Sequence, residues 1–225
     1  MNIYFLVEGK TEKKVYPQWL SWLAPHLERV TFPTDVTRNS YYLISGGGFP
    51  SILDNHLCSS VDDVNFIGKY DYLIIALDSD YLTAQEKFME VDEYVREKSI
   101  LLNNCELIII PQVVCMETWF LGNRRIYTRT PSNSKNSFYS NHYNTAINDP
   151  ELMQPPPSFP GTIGEFHYKF LKAMLSERNV RYSKTKPKEV GKEYYVNELL
   201  NRFHTDSNSL KSLQKFLGFL NAISN

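Results

Sequence analysis

The apolar positions along the chain alternate between two periods. Asn2 to Val7, Leu73 to Leu77 and Glu106 to Val114 are short runs dominated by apolar residues, the reading of strands buried on both faces of a parallel sheet. Leu27 to Phe32 and Tyr41 to Ile44 predict two further strands. Between these runs the period lengthens. Val15, Trp19, Leu20 and Leu23 share one face of a helix predicted over Lys10 to Leu23, with Pro17 awkward in its interior. Ile52 to Cys58 reads as a short helix, and Thr83 to Ile100 as a longer one striped by Phe88, Val91 and Val95. Pro111 predicts that the strand from Glu106 bends, bulges or ends there. Strand and helix alternate through residues 1–122, which predicts an α/β, Rossmann-like parallel sheet with crossover helices.

The pattern then breaks. Residues 123–161 are polar, rich in Ser and Asn and studded with Tyr, Phe and His, and Pro155-Pro156-Pro157 makes a stiff spacer. Helices return at 162–225: Thr162 and Glu165 have capping-box spacing for a helix reaching about Asn179, and Tyr194 to Phe203 and Ser209 to Ile223 follow. The expected organisation is a core at 1–122, an insert at 123–161 and a C-terminal helical part packed on the core.

Composition narrows the class. The 225 residues carry 24 Lys+Arg against 25 Asp+Glu, so nucleic-acid contact would need a local basic patch. Cys58, Cys105 and Cys115 are odd in number and form no C-x-x-C, which argues for a reducing compartment and against a zinc knuckle. With no leader pattern and no apolar run of membrane-spanning length, the expectation is a soluble cytoplasmic protein without membrane contact.

The candidate chemistry sits at strand ends. Asp78 and Asp80 flank one serine where the Leu73–Leu77 run stops, at the edge where open α/β sheets place ligands. Such carboxylates suit a hard cation, and a tight turn is the ordinary alternative. Glu8 ends the first strand on the same edge, and Glu12 lies one turn further on. Carboxylates crowded on one edge repel unless a cation compensates them. Glu117, just past the strand from Glu106, reads equally as a further ligand or a helix cap. Gly46-Gly47-Gly48 allows close approach to a phosphate or simply a turn. Gly9-Lys10-Thr11 is not a P-loop, because Tyr4 stands where that motif needs glycine. From Arg124 to Ala146 the basic residues Arg124, Arg125, Arg129 and Lys135 have no acidic neighbour and are interleaved with aromatics. This suits nucleic acid, a solvated loop or a subunit-contact arm.

LVEGKTE at 6–12 and IIALDSD at 74–80 together resemble the TOPRIM fold of primases, type IA and II topoisomerases and OLD-family nucleases, over residues 1–122. VVCMETWFLGN at 113–123 and the lysine-rich SKTKPK at 183–188 are similar to the small stand-alone TOPRIM proteins of bacterial anti-phage defence. The resemblance implies a Mg²⁺ or Mn²⁺ site built from Glu8, Asp78 and Asp80, with Glu12 and, less directly, Glu117. It implies a separate ABC-type ATPase as a partner. Neither the catalytic-tyrosine context of a topoisomerase nor primase zinc cysteines are present, which points to a nuclease. Catalysis is then expected from Glu8, Asp78, Asp80 and Lys10, and contact with DNA or RNA from Arg124, Arg125, Arg129, Lys184 and Lys186. Self-association is left open. A catalytically silent module docking on an ATPase is the main alternative. A glycosyltransferase using the D-x-D leaves Glu8-Gly9 without a role, and a phosphatase would carry a threonine where Leu82 stands.

Overall fold

The computed structural model describes residues 1–223. Its described residues form a five-stranded parallel sheet in the order β2-β3-β1-β4-β5. The strands are β1 (Asn2–Val7), β2 (Glu28–Arg29), β3 (Ser40–Ser45), β4 (Tyr72–Asp78) and β5 (Glu106–Gln112). β1 is buried along its whole length because it lies mid-sheet with both faces covered. Ile3, Phe5 and Val7 point to one face, and Tyr4 and Leu6 to the other. Helix α1 (Lys10–Leu23) covers the first face with Val15, Tyr16, Trp19 and Leu20. Helices α2 (Cys58–Ile67) and α3 (Ala84–Glu97) cover the second.

This arrangement creates a switch point. The chain leaves β1 along one face toward β3, and leaves β4 along the other face toward β5. The crevice between the C-terminal ends of β1 and β4 is where open α/β sheets bind ligands. Both Glu8 and Asp78 stand at its rim.

Several predicted elements are corrected. The strand at Leu27 to Phe32 shrinks to β2, which pairs through Glu28 and Arg29 alone before Pro33 turns the chain away. The helix at Ile52 to Cys58 is a wide π-type turn over Ile52–Leu57 that runs on into α2, ending at left-handed Gly68 with φ +66°. Ser and Asp in α2 hide an apolar stripe of Leu57, Val61 and Val64. Pro17 stays inside α1, while β5, an edge strand, ends at Gln112, one residue past Pro111 as that proline predicts and short of Val114.

The remaining helices are α4 (Met116–Phe120), α5 (Ser134–His142), α6 (Ile163–Ser176), α7 (Glu193–Thr205) and α8 (Lys211–Ala222). α5 falls in the polar insert and has no apolar stripe to betray it; the Asn133 side chain caps it by accepting from Asn136 N. Helices α4, α6, α7 and α8 share one apolar cluster with α1 and the first sheet face. Trp119 stacks between Trp19 and Phe216, at 6.4 and 5.8 Å between ring centroids. Arg202 of α7, 1% exposed, donates to the carbonyls of Gly122, Thr145 and Asn148 and ties the insert to that layer. No helix among the described residues is long and apolar enough to cross a membrane.

Candidate functional site

The site starts with two strand ends. β1 and β4 are in register through Val7 and Ala76, so Glu8 follows its strand beside the end of β4. Glu8 N–H donates to the Ala76 carbonyl at 2.9 Å, and Asp78 N–H donates to Glu8 Oε2 at 2.9 Å. Burial raises the Glu8 carboxyl above its ordinary range, and the charge of Asp80 adds to this against the amides of Asp78 and Phe49. The glycine turn is a turn that also borders the site. Gly48 N–H donates to the Glu8 carbonyl at 2.9 Å, and Gly47 and Gly48 hold φ of +77° and +101°, which favour glycine.

Asp78 points inward. Its Oδ1 accepts from Met116 N–H at 3.1 Å, at the first turn of α4. With its amide oriented to put nitrogen toward the carboxylates, the arrangement that satisfies all its neighbours, Gln112 donates to Asp78 Oδ1 at 2.8 Å and Glu12 Oε1 at 3.3 Å, while its oxygen accepts from the Tyr16 hydroxyl at 2.8 Å. Burial raises the Asp78 carboxyl well above normal, and Glu12, Glu8 and Glu117 push it in the same direction. Glu12, 4% exposed in the first turn of α1, is pushed up to about 7 by burial and then by Glu117 and Glu8.

Glu117 resolves the choice between ligand and cap in an unexpected way. It is 1% exposed, accepts from the Tyr182 hydroxyl at 2.8 Å, and pairs with Lys184 Nζ at 3.5 Å. Burial works against the charge on Lys184, but Glu117, Cys115, Asp78 and Glu12 together outweigh it and hold the ammonium above the usual lysine range. Lys184 reaches the site because its loop is strapped along α1. Thr11 Oγ1 donates to Lys184 O, Lys14 Nζ to Thr185 O, Trp19 Nε1 to Val190 O and Trp22 Nε1 to Gly191 O.

Ser79 explains the D-x-D turn. It is fully buried, its Oγ donates to Leu82 O at 2.8 Å, and that Oγ accepts from Val114 N–H at 3.0 Å. The turn therefore separates its carboxylates: Asp78 faces the crevice and Asp80 is exposed, in a left-handed conformation with φ +52°.

Two clefts meet here. One of about 230 Å³ holds Glu8, Lys10, Glu12, Asp78, Glu117 and Lys184. The other, about 260 Å³, is bounded by Asp78, Asp80, Thr162, Glu165, Tyr168 and Lys184. Asp78 and Lys184 border both. Lys10, at the first position of α1, is exposed at the mouth of the first cleft.

The donor set is all oxygen and carboxylate, and its neighbours raise the proton affinity of Asp78 and Glu12, which fits a hard divalent cation in chemistry. Among the described residues, no group of three or more His, Cys, Asp or Glu is arranged to hold a metal ion. Their oxygens are instead taken up by amides, Tyr182 and Lys184.

The basic residues divide. Lys184 is in the site and Lys186 lies in the same loop. Arg124 and Arg125 border neither cleft: Arg124 pairs with Asp206 and Arg125 with Glu198 of α7. The stretch itself has no acidic residue, and α7 and the residue capping it supply the acids that pair with these two arginines. Arg129 is exposed and likewise borders neither cleft. Gln112, Tyr182 and Lys87 are site neighbours that the sequence pattern does not reveal. Lys87, 3% exposed, lies over the Phe49 ring at 4.0 Å, pairs with Glu90, and its charge acts on Glu8. One polar residue closing an apolar strand was the only signal for Gln112. Compared with protein-family models, curated proteins and solved structures, the chain matches none.

Proposed function

We propose that the chain is a divalent-metal-dependent nuclease with a TOPRIM-like core, hydrolysing phosphodiester bonds in DNA or RNA. One observation carries the reading: Glu8, Glu12, Asp78 and Glu117 converge at the switch point of a parallel sheet with Lys184 among them. Glu8, Glu12 and Asp78 would hold the cation, which when bound supplies charge neutralisation and an activated water. The chain's own residues do the rest. Met116 N–H and Gln112 fix the Asp78 carboxylate, and the amides of Asp78 and Phe49 fix Glu8. Lys184 and Lys10 present positive charge to the phosphate oxygens. Hydrolysis adds the water oxygen to phosphorus, breaks the P–O bond and leaves a proton on the departing hydroxyl.

The resemblance adds the setting of an anti-phage effector with a partner ATPase. A second reading has its own support. The absence of an assembled three-ligand group among the described residues favours a TOPRIM-like binding module without turnover. The deciding experiment is cleavage of labelled DNA and RNA with Mg²⁺ or Mn²⁺ by wild type and Asp78→Ala, with EDTA as a control. The nuclease reading requires cleavage that both the substitution and the chelator remove. Saturable metal binding without cleavage, also in the presence of the partner, gives the binding module.

A further inference from the structure

We infer that a cleft between α1, β2 and the 183–188 loop is a polyphosphate-binding track that holds the backbone of a nucleic-acid strand beside the carboxylate site. The inference rests on the proposed function for what happens at that site, but the track stands on its own geometry. The cleft measures about 600 Å³, and its charged lining is entirely cationic: Lys13, Lys14, Arg29, Lys186 and Lys188. All five residues are exposed. Among the described residues none of the five is in an ion pair, whereas Arg124, Arg125, Lys169 and Lys184 all are. In a chain of net charge −1, such a concentration of unneutralised cations marks a place for an anion.

The cations come from three separate segments that the fold holds together. Lys10, Lys13 and Lys14 share a face of α1 at three- and four-residue spacing, so the stripe runs from the carboxylate cleft into the basic one. Lys14 Nζ donates to the Thr185 carbonyl, which seats the loop, and beyond a turn from Ser183 to Lys186 the loop's Lys186 and Lys188 line the same cleft. Thr185 borders both clefts, so the two adjoin each other. A chain of phosphates can therefore run from the carboxylates along α1 without meeting an acidic side chain. The site lacks a base-reading pocket: its linings are lysine, arginine, Pro17, Gln18, Thr185 and Pro187. Recognition would fall on the phosphates, and binding would depend steeply on salt.

The experiment is fluorescence anisotropy with a labelled single-stranded oligonucleotide in EDTA, over a range of salt, so that no cleavage enters. The expected result is that Lys13→Glu/Arg29→Glu/Lys188→Glu weakens binding at least tenfold. Loss of three phosphate contacts should flatten the slope of log K on log salt by about 2. The milder Lys13→Gln/Arg29→Gln should show a smaller loss in the same direction, and circular dichroism melts check that each variant folds. Lys69→Glu/Lys98→Glu changes charge at the opposite end of the sheet and should leave the slope unchanged. Equal binding in the triple variant, or an equal loss in the distant control, overturns the track. Calorimetric binding of inorganic tripolyphosphate with no binding of the oligonucleotide overturns the strand assignment. Track-dependent oligonucleotide binding in a protein that never cleaves keeps this inference while the nuclease reading fails.

Discussion

The main-chain N–H of Asp78 is bonded to the side chain of Glu8, at 2.9 Å, across the junction of β1 and β4. One carboxylate is thus oriented by the backbone that carries the other. Replacing Glu8 with Gln retains a side-chain oxygen for that bond and removes a buried charge that burial and Asp80 already disfavour. The expected outcome is a melting temperature equal to or above that of wild type, with cleavage lowered by about 100-fold or more, some 3 kcal/mol of barrier. Steady-state cleavage and a thermal melt on the same preparation check it. Wild-type turnover would remove Glu8 from the chemistry.

Lys184 and Glu117 form the cation–anion contact of the site, at 3.5 Å. Glu117 is buried whereas Lys184 is about half exposed, so loss of the lysine strands a charge that, among the described side chains, Tyr182 alone then serves. Solvent at Lys184 discounts the pair, and Lys184→Met should cost about 1–2 kcal/mol. Lys184→Met/Glu117→Gln should recover most of it, since the stranded charge is gone. A double-mutant cycle by urea denaturation reads the coupling. Strict additivity would show that the two groups act independently.

The parts of this site that were legible in sequence are those set by local pattern. An uncharged run stopping at Asp78, and another stopping at Glu8, put both carboxylates on one sheet edge once the sheet is parallel. Lys184 and Tyr182 were not placeable in that way, because they reach Glu117 through a loop strapped to α1 by Trp19 and Trp22, and no spacing encodes that docking. The D-x-D was legible as a pair but not as a division of labour. Buried Ser79 turns Asp80 outward, and a serine between two aspartates gives no sign of this. α5 escaped because its buried residues are Asn136, Tyr139 and Ser140, which carry no apolar period.

Glu151 gives a pH dependence outside the site. Burial pushes its carboxyl up to about 7, although Ser212 donates to it from Oγ at 2.5 Å and from N at 3.1 Å. The folded protein therefore holds this proton more tightly than the unfolded chain does. The associated stability is full below the ordinary glutamate range and is lost as pH rises through about 7. Wild type should lose more melting temperature than Glu151→Gln between pH 4.5 and pH 7.5, by on the order of 5 °C. Parallel curves for the two proteins would refute the assignment.

Divalent ions should stabilise the protein only through the crowded carboxylates. Glu12, Glu8 and Glu117 raise the proton affinity of Asp78, Glu117 and Glu8 raise that of Glu12, and Asp80 raises that of Glu8, so the ion-free fold carries repulsion that a bound cation relieves. At a hundredfold excess over its dissociation constant, an ion bound to the folded state alone adds about 2.7 kcal/mol. For a domain of this size that corresponds to roughly 5–10 °C. Asp78→Asn should invert the pattern: it removes the charge most strongly disfavoured by burial, so the ion-free melting temperature rises while the increment with Mn²⁺ or Mg²⁺ collapses. Differential scanning fluorimetry with each ion and with EDTA separates the two effects. A full increment in Asp78→Asn would place the ion elsewhere on the protein. No increment in wild type would leave the carboxylates as a proton-sharing cluster, with Lys184 as the cation that compensates them.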